Sequence, residues 1–225
     1  MNPTERPPIA SFQLTVDVVM LTVHEQKLQV VLVERPEDPF CGTLALPGGF
    51  VWEGESAQAA AQRILSNKVG AEDVFFEQLY TFDAPGRDPR GRIATVAHYA
   101  LVPETLLSAG LLQPNTRLMP VAQVTTLAFD HDQILQKAVT RMRYKLLYSN
   151  IAYSLLPLHF TLSQLQTVYE TMLGQVLDKR NFRKKILSLG VVEGTGERTA
   201  PARHRPAGLY TFRQHGYTEF DEPAF

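Results

Sequence analysis

Two runs rich in Val and Leu, Phe12 to Val23 and Lys27 to Glu34, flank the polar triplet His24-Glu25-Gln26. Extended aliphatic runs split by a short polar break predict two adjacent strands. A short apolar stretch, Leu44 to Leu46, precedes the turn Pro47-Gly48-Gly49. Gly54-Glu55-Ser56 then leads into an alanine-rich helix over Ala57 to about Asn67, ended by Gly70. Phe75 to Phe82 and Arg92 to Val102 read as strands around the turn-forming stretch DAPGRDPRG, Asp83 to Gly91. Pro103 to Pro120 reads as a loop-rich passage. Asp130, with Gln133 three residues on, predicts a capping box for a helix that runs to about Tyr148.

Beyond a connector, Ser149 to Pro157, the pattern changes. Thr161 and Gln164 form a second capping box for a helix over Ser163 to Leu173, broken by Gly174. Asp178 caps another helix, Lys179 to Ser188, which Gly190 terminates. Val191 to Glu193 and Leu209 to Phe212 are strand-like and flank a basic Gly/Pro loop. Helix, tight break, basic helix, strand, loop, strand is the order of a winged helix-turn-helix. The domains expected are therefore 1–150 and 151–225.

With 225 residues and 44% hydrophobic residues, the chain can bury a substantial core. No apolar run approaches the roughly 18 residues of a membrane span. The N-terminus MNPTERPPIA has no apolar signal region. Cys41 is the single cysteine and cannot form an internal disulfide. A cytoplasmic protein without membrane contact is expected. Charge is unevenly placed. From Gln175 to Arg213, nine Lys or Arg stand against Asp178, Glu193 and Glu197, a net +6. That leaves −7 for the rest of a chain whose total is −1. A basic segment on an acidic chain points to a local polyanion partner.

Gly49, Glu55, Arg63 and Gly70 stand at the spacing of the Nudix box, G-x5-E-x7-R-E-U-x-E-E-x-G-U, with U aliphatic. The box holds Mg²⁺ through carboxylates on one helix face, and the ions neutralise a diphosphate and activate water. Positions 64, 67 and 68 are i, i+3 and i+4 and share that face. Here they are Ile64, Asn67 and Lys68. Ile64 has no donor, Asn67 offers one neutral oxygen, and Lys68 is a cation. At about 4 Å and an effective ε near 20, that repulsion costs a few kcal/mol per unit of metal charge. No metal site, no cofactor and no catalytic residue are expected. Lys68 instead suits a phosphate held without metal, or simply points to water.

QLYTFDAPGRDPRG, Gln78 to Gly91, resembles the loop of ADP-ribose-type Nudix proteins. Arg87 and Arg90 offer forked donors for phosphates. Phe82 either stacks on a base or packs in the core. The effector-binding set read from the sequence is Gly48, Gly49, Glu55, Arg63, Lys68, Phe82, Arg87, Asp88 and Arg90. In the basic helix Lys179, Arg180, Asn181, Arg183 and Lys184 lie where a recognition helix reads base edges. Arg198, Arg203, His204 and Arg205 of the loop suit phosphates or the minor groove. Thr161 and Ser163 complete the candidate DNA-binding set.

Five segments together resemble the Nudix-related transcriptional regulators of NAD metabolism, the NrtR family. They are LPGGFVWEGES, TFDAPGRDPRG, KLLYSNIAYSLLP, FTLSQLQTVYE and LDKRNFRKKILSLG, spread over nearly the whole chain. The resemblance implies a Nudix-like α/β/α sandwich followed by a winged helix-turn-helix domain. It further implies a homodimeric repressor of NAD biosynthesis or salvage genes. Its sensor would bind ADP-ribose without hydrolysing it, and its reader would bind a palindromic double-stranded operator. Two alternatives remain: an active hydrolase of the ADP-ribose pyrophosphatase type, against which the missing acids argue, and a sugar-responsive regulator of the same architecture.

Overall fold

In β1 (Gln13–His24) eight successive residues, Thr15 to Thr22, are buried, because both faces of the strand are covered. The computed structural model describes residues 11–69, 74–108, 115–200, 206–214, 216–220 and 222–224. β1 pairs antiparallel with β2 (Lys27–Glu34) and with β4 (Gly48–Phe50), and parallel with β6 (Ile93–Leu101). β3 (Leu44–Ala45) and β7 (Thr116–Pro120) add to β2, and β5 (Phe75–Phe82) adds to β6. The central order is β3-β2-β1-β6-β5. The β1–β2 hairpin turns through Glu25 and Gln26, both at positive φ (49° and 56°), as a tight two-residue turn requires.

Strand alternation decides what each helix covers. Val16, Val18 and Met20 face α1 (Ala57–Val69), meeting Ala60, Ala61 and Leu65. Val19 and Leu21 face α3 (His131–Tyr148), meeting residues such as Ile134, Ala138 and Met142. The result is the expected α/β/α sandwich. Asp17 shares the α3 side, which places a carboxylate among apolar residues near the start of that helix.

Three local expectations are corrected. The passage from Pro103 to Pro120 contains α2 (Glu104–Ser108) and strand β7. The turn after Pro47 contains β4. Asp130 is the N-cap residue of α3, but its side chain does not cap; its carboxylate is drawn to Arg87 instead. The helix end expected at Gly70 lies outside the described residues.

The C-terminal elements match their local signals closely. Thr161 and Gln164 form both halves of a capping box at the start of α4 (Leu162–Leu173). Gly174 ends α4 in the left-handed conformation, φ 72°, where a side chain would be strained. The Asp178 side chain accepts the Asn181 N–H at 2.8 Å and caps α5 (Lys179–Ser188). β8 (Val192–Arg198) and β9 (Gly208–Phe212) form the wing hairpin, and Phe160 bridges to Tyr210. Tyr169 and Phe182 lock α4 on α5, edge to face at 5.4 Å, worth about 0.5–1.5 kcal/mol beyond area burial. One apolar cluster runs from Val19 and Met142 through Leu165 and Met172 to Phe182, so the two halves share a core. No helix among the described residues is long and apolar enough to cross a membrane.

Candidate functional site: a Nudix cleft and a basic helix

The glycines of LPGG hold the cleft open. A Cβ on Gly48 would lie 2.2 Å from Asp17 Oδ1 and 2.6 Å from the Val16 carbonyl, so only glycine fits beside β1. A Cβ on Gly49 would meet Ile64 Cδ1 at 3.3 Å. Ser56 Oγ accepts the Ala59 N–H at 3.1 Å and starts α1. Along that helix Ile64, Asn67 and Lys68 line a cleft of about 360 Å³, together with Gly48, Arg35 and Glu34. Lys68 Nζ lies 3.5 Å from Thr116 Oγ1. Burial lowers the Lys68 pKa from its ordinary value.

Glu55 and Arg63 hold each other. Arg63 donates from Nε and Nη2 to the two carboxylate oxygens, each at 2.8 Å, and from Nη2 to the Phe50 carbonyl at 3.1 Å. Its guanidinium stacks 3.6 Å from the Trp52 ring centroid. The Arg63 hydrogen bonds, helped by the Trp52 backbone N–H, bring the Glu55 carboxyl down to about 2. The pair frames the cleft and lines neither of its cavities.

A second hollow, about 110 Å³, adjoins the first and shares Arg35 and Gly48 with it. It collects Asp17, Arg87, Asp88, Arg90, Phe129 and His131. Gly49 also borders it. Arg87 is 4% exposed in its side chain and gives two hydrogen bonds to Asp130, at 2.9 and 2.6 Å, with Asp17 at 3.7 Å. The expected phosphate fork is thus spent on an internal carboxylate. Arg90 is more open: it pairs with Asp88 at 3.0 and 2.7 Å and lies 5.5 and 5.4 Å from the Phe50 and Phe129 ring centroids. Burial alone would raise the Asp88 carboxyl, yet the hydrogen bonds and charge of Arg90 bring it below its ordinary value. His131 Nδ1 accepts the Leu46 N–H at 2.9 Å, which leaves the proton of the neutral ring on Nε2, 3.5 Å from Asp17 Oδ1. Desolvation keeps His131 below its ordinary pKa despite Asp17.

Phe82 takes the core alternative. It is half-buried, packs on the α3-side core, meets Tyr80 edge to face at 5.5 Å and lines neither hollow. Sequence reading missed Asp17, Arg35, Phe129 and His131. Asp17 had a local signal, a lone acid within an aliphatic strand. Arg35 lies just past β2, where nothing in the pattern marks it.

The Nudix fold implies Mg²⁺, and the side chains here do not fit it. The box face offers a hydrocarbon, an amide and a cation, and both Glu55 oxygens already accept hydrogen bonds from Arg63. Among the described residues no group of three or more His, Cys, Asp or Glu is placed to hold a metal ion.

On α5 the apolar pair Phe182 and Ile186 is buried. Lys179, Arg180, Asn181, Arg183 and Lys184 are all exposed on the remaining surface. Arg183 donates to Ser163 Oγ at 3.3 Å, which joins α5 to the start of α4. The Thr161 hydroxyl accepts the Gln164 N–H at 3.2 Å as the cap of α4. Arg198 is exposed on the wing, with Nη1 donating to the Pro206 carbonyl at 3.3 Å. Arg203, His204 and Arg205 lie outside the described residues.

Comparisons with known proteins agree with this two-part organisation. The NUDIX domain family matches residues 11–140, and the NrtR DNA-binding winged helix domain matches residues 152–212. The "ADPR responsive transcriptional repressor NtrR" of Acinetobacter baylyi is 35% identical over 215 residues, covering 93% of this chain and 85% of that protein. NrtR of Shewanella oneidensis complexed with a 27mer DNA superimposes with a TM-score of 0.79 at 35% identity, covering 89% of this chain and 93% of that one. The NUDIX domain of the same Shewanella protein complexed with ADP ribose matches at 35% identity with a TM-score of 0.51. That match covers 59% of this chain and 90% of that one. This chain belongs to the NrtR family, a Nudix domain joined to a DNA-binding winged helix.

Proposed function

We propose that the protein is a homodimeric, cytoplasmic repressor of NAD biosynthesis or salvage genes whose Nudix domain binds ADP-ribose without hydrolysing it. The carrying observation is the α1 face: Lys68, Asn67 and Ile64 stand in the cleft where metal-bearing carboxylates are needed. A lysine there supplies fixed positive charge to a diphosphate, in place of a metal that would also activate water. Arg90, beside two aromatic rings, is the second cation of the site, and Arg35 lies between the two hollows. The ADP ribose complex of the Shewanella relative supports this choice of effector.

DNA reading belongs to α5 and the wing. The exposed Lys179, Arg180, Arg183 and Lys184 meet phosphates and guanine edges, and Asn181 suits adenine. We place the boundary between sensor and reader near residue 150, between the two family matches. The test has two arms. Incubation with ADP-ribose and Mg²⁺ or Mn²⁺ is expected to yield no AMP; turnover around 1 per second or more would make it an enzyme. Operators selected by the protein from random duplex DNA are expected to be palindromic, with affinity that changes when ADP-ribose is added.

A further inference from the structure

Helix α3 touches both the cleft and the reader. At its start, Asp130 is gripped by Arg87, His131 is tied to the Leu46 backbone, and the Ala128 N–H donates to the Leu44 carbonyl at 2.8 Å. Phe129 and His131 face the smaller hollow, and Phe129 sits there at φ 56°. Twelve residues on, roughly 18 Å along the axis, Arg143 Nε donates to the carbonyl of Met172 at 3.0 Å. Met172 lies in the last turn of α4, where helical carbonyls have no partner of their own. A sensor side chain thus caps a reader helix.

What lies beyond that cap is tightly connected. Gly174 N–H and Gln175 N–H both go to the Glu170 carbonyl, at 2.8 and 3.2 Å. Glu170 Oε1 accepts the Leu177 N–H, and Gln166 Nε2 donates to the Leu177 carbonyl, each at 2.9 Å. The turn leading into α5 is therefore fastened to α4, and α4 to Arg143. Between its two ends α3 buries Ile134, Leu135, Ala138, Val139 and Met142. A helix packed this way shifts as a unit.

We propose that Arg143 is the coupling residue of this regulator: α3 carries the state of the cleft to the end of α4, and so sets the position of α5. The proposal rests on the reading of the cleft as an effector site. Binding that displaces Phe129 or perturbs the Arg87–Asp130 pair moves the start of α3, and the Arg143–Met172 contact transmits that motion. Arg143 lines neither hollow. Its removal should uncouple the two ligands, which are otherwise linked by one reciprocal free energy.

The test uses the full chain and an operator selected by it. Arg143→Ala is expected to keep the wild-type affinity for ADP-ribose in calorimetry, since Arg143 lines neither hollow. The ratio of operator affinities with and without ADP-ribose, typically about 5–150-fold in coupled systems, should collapse towards one. An unchanged ratio overturns the assignment. Hydrogen exchange on the wild-type protein is the second measurement, independent of any variant. ADP-ribose should change protection at the Gly174 and Gln175 amides, and identical exchange with and without it also overturns the relay. Failure of the wild type to bind ADP-ribose sinks the reading of the cleft and the relay with it. Binding with no effect on operator affinity sinks the relay alone.

Discussion

Arg87 and Asp130 are 43 residues apart and meet through two hydrogen bonds of 2.9 and 2.6 Å in a site almost closed to water. The pair turns the loop after β5 and the start of α3 into one wall of the cleft. Arg87 is therefore part of the wall itself, whereas Arg90, paired with Asp88, is the more exposed of the two arginines.

Arg87→Ala leaves Asp130 buried without its partner. Breaking a buried pair in this way costs about 3–5 kcal/mol. Urea unfolding should show a midpoint lowered to match, before any ligand is added. A midpoint equal to that of the wild type would mean that the pair is solvated.

Arg90→Ala removes an accessible charge-assisted donor. ADP-ribose binding is expected to weaken by roughly 1.5–3 kcal/mol. Calorimetry checks this, alongside an operator titration without effector, which should stay close to wild type. Wild-type effector affinity in the variant removes Arg90 from the site.

Effector binding is expected to need no divalent ion, because Lys68 lines the cleft at a box position where a metal-bearing acid is called for. Excess EDTA should leave the ADP-ribose affinity unchanged, whereas Lys68→Ala should lower it. The reverse pattern, loss on chelation and indifference to Lys68→Ala, would return the site to metal chemistry.

The Glu55–Arg63 pair gives stability a defined acid limb. The Glu55 carboxyl lies at about 2 when folded, against an ordinary 4.5. A depressed carboxylate contributes fully above its unfolded pKa and loses that contribution as pH falls towards the folded one. Stability should therefore fall between about pH 4.5 and pH 2, and part of that fall should disappear in Glu55→Gln. Equal acid limbs in denaturant titrations of both proteins would contradict the assignment.

On the reader, Asn181→Ala should relax base preference at one position per half-site, at a cost of about 1–3 kcal/mol. Lys184→Ala should instead weaken binding evenly across sequences and flatten the salt slope by about 1 for each phosphate left without its cation. Selection from random duplexes and titration over a salt series distinguish the two. Half-site centres should lie near one helical turn, about 10 base pairs, or a multiple of it.

What the chain declares by itself is local. The capping box of Thr161 and Gln164, the Asp178 cap and the left-handed Gly174 join residues at most four apart, and each appears in the structure as read. The replaced acids were legible for the same reason: i, i+3 and i+4 share a helix face whatever surrounds it. Partners distant in sequence carry no such mark. Asp130 reads as a cap because Gln133 follows it at the right spacing, but Arg87, brought alongside by β5 and β6, offers two charged donors and takes the carboxylate. β4 and β7, three and five residues long, exist through their pairing with β1 and β2. Arg35 and Phe129 come to line the smaller hollow because the sheet sets the end of β2 against the start of α3. The shared core and the Arg143 cap on Met172 likewise depend on α4 docking beside α3. Propensity and capping act within a helical turn, whereas the site consists of contacts between elements, and packing alone decides which elements meet.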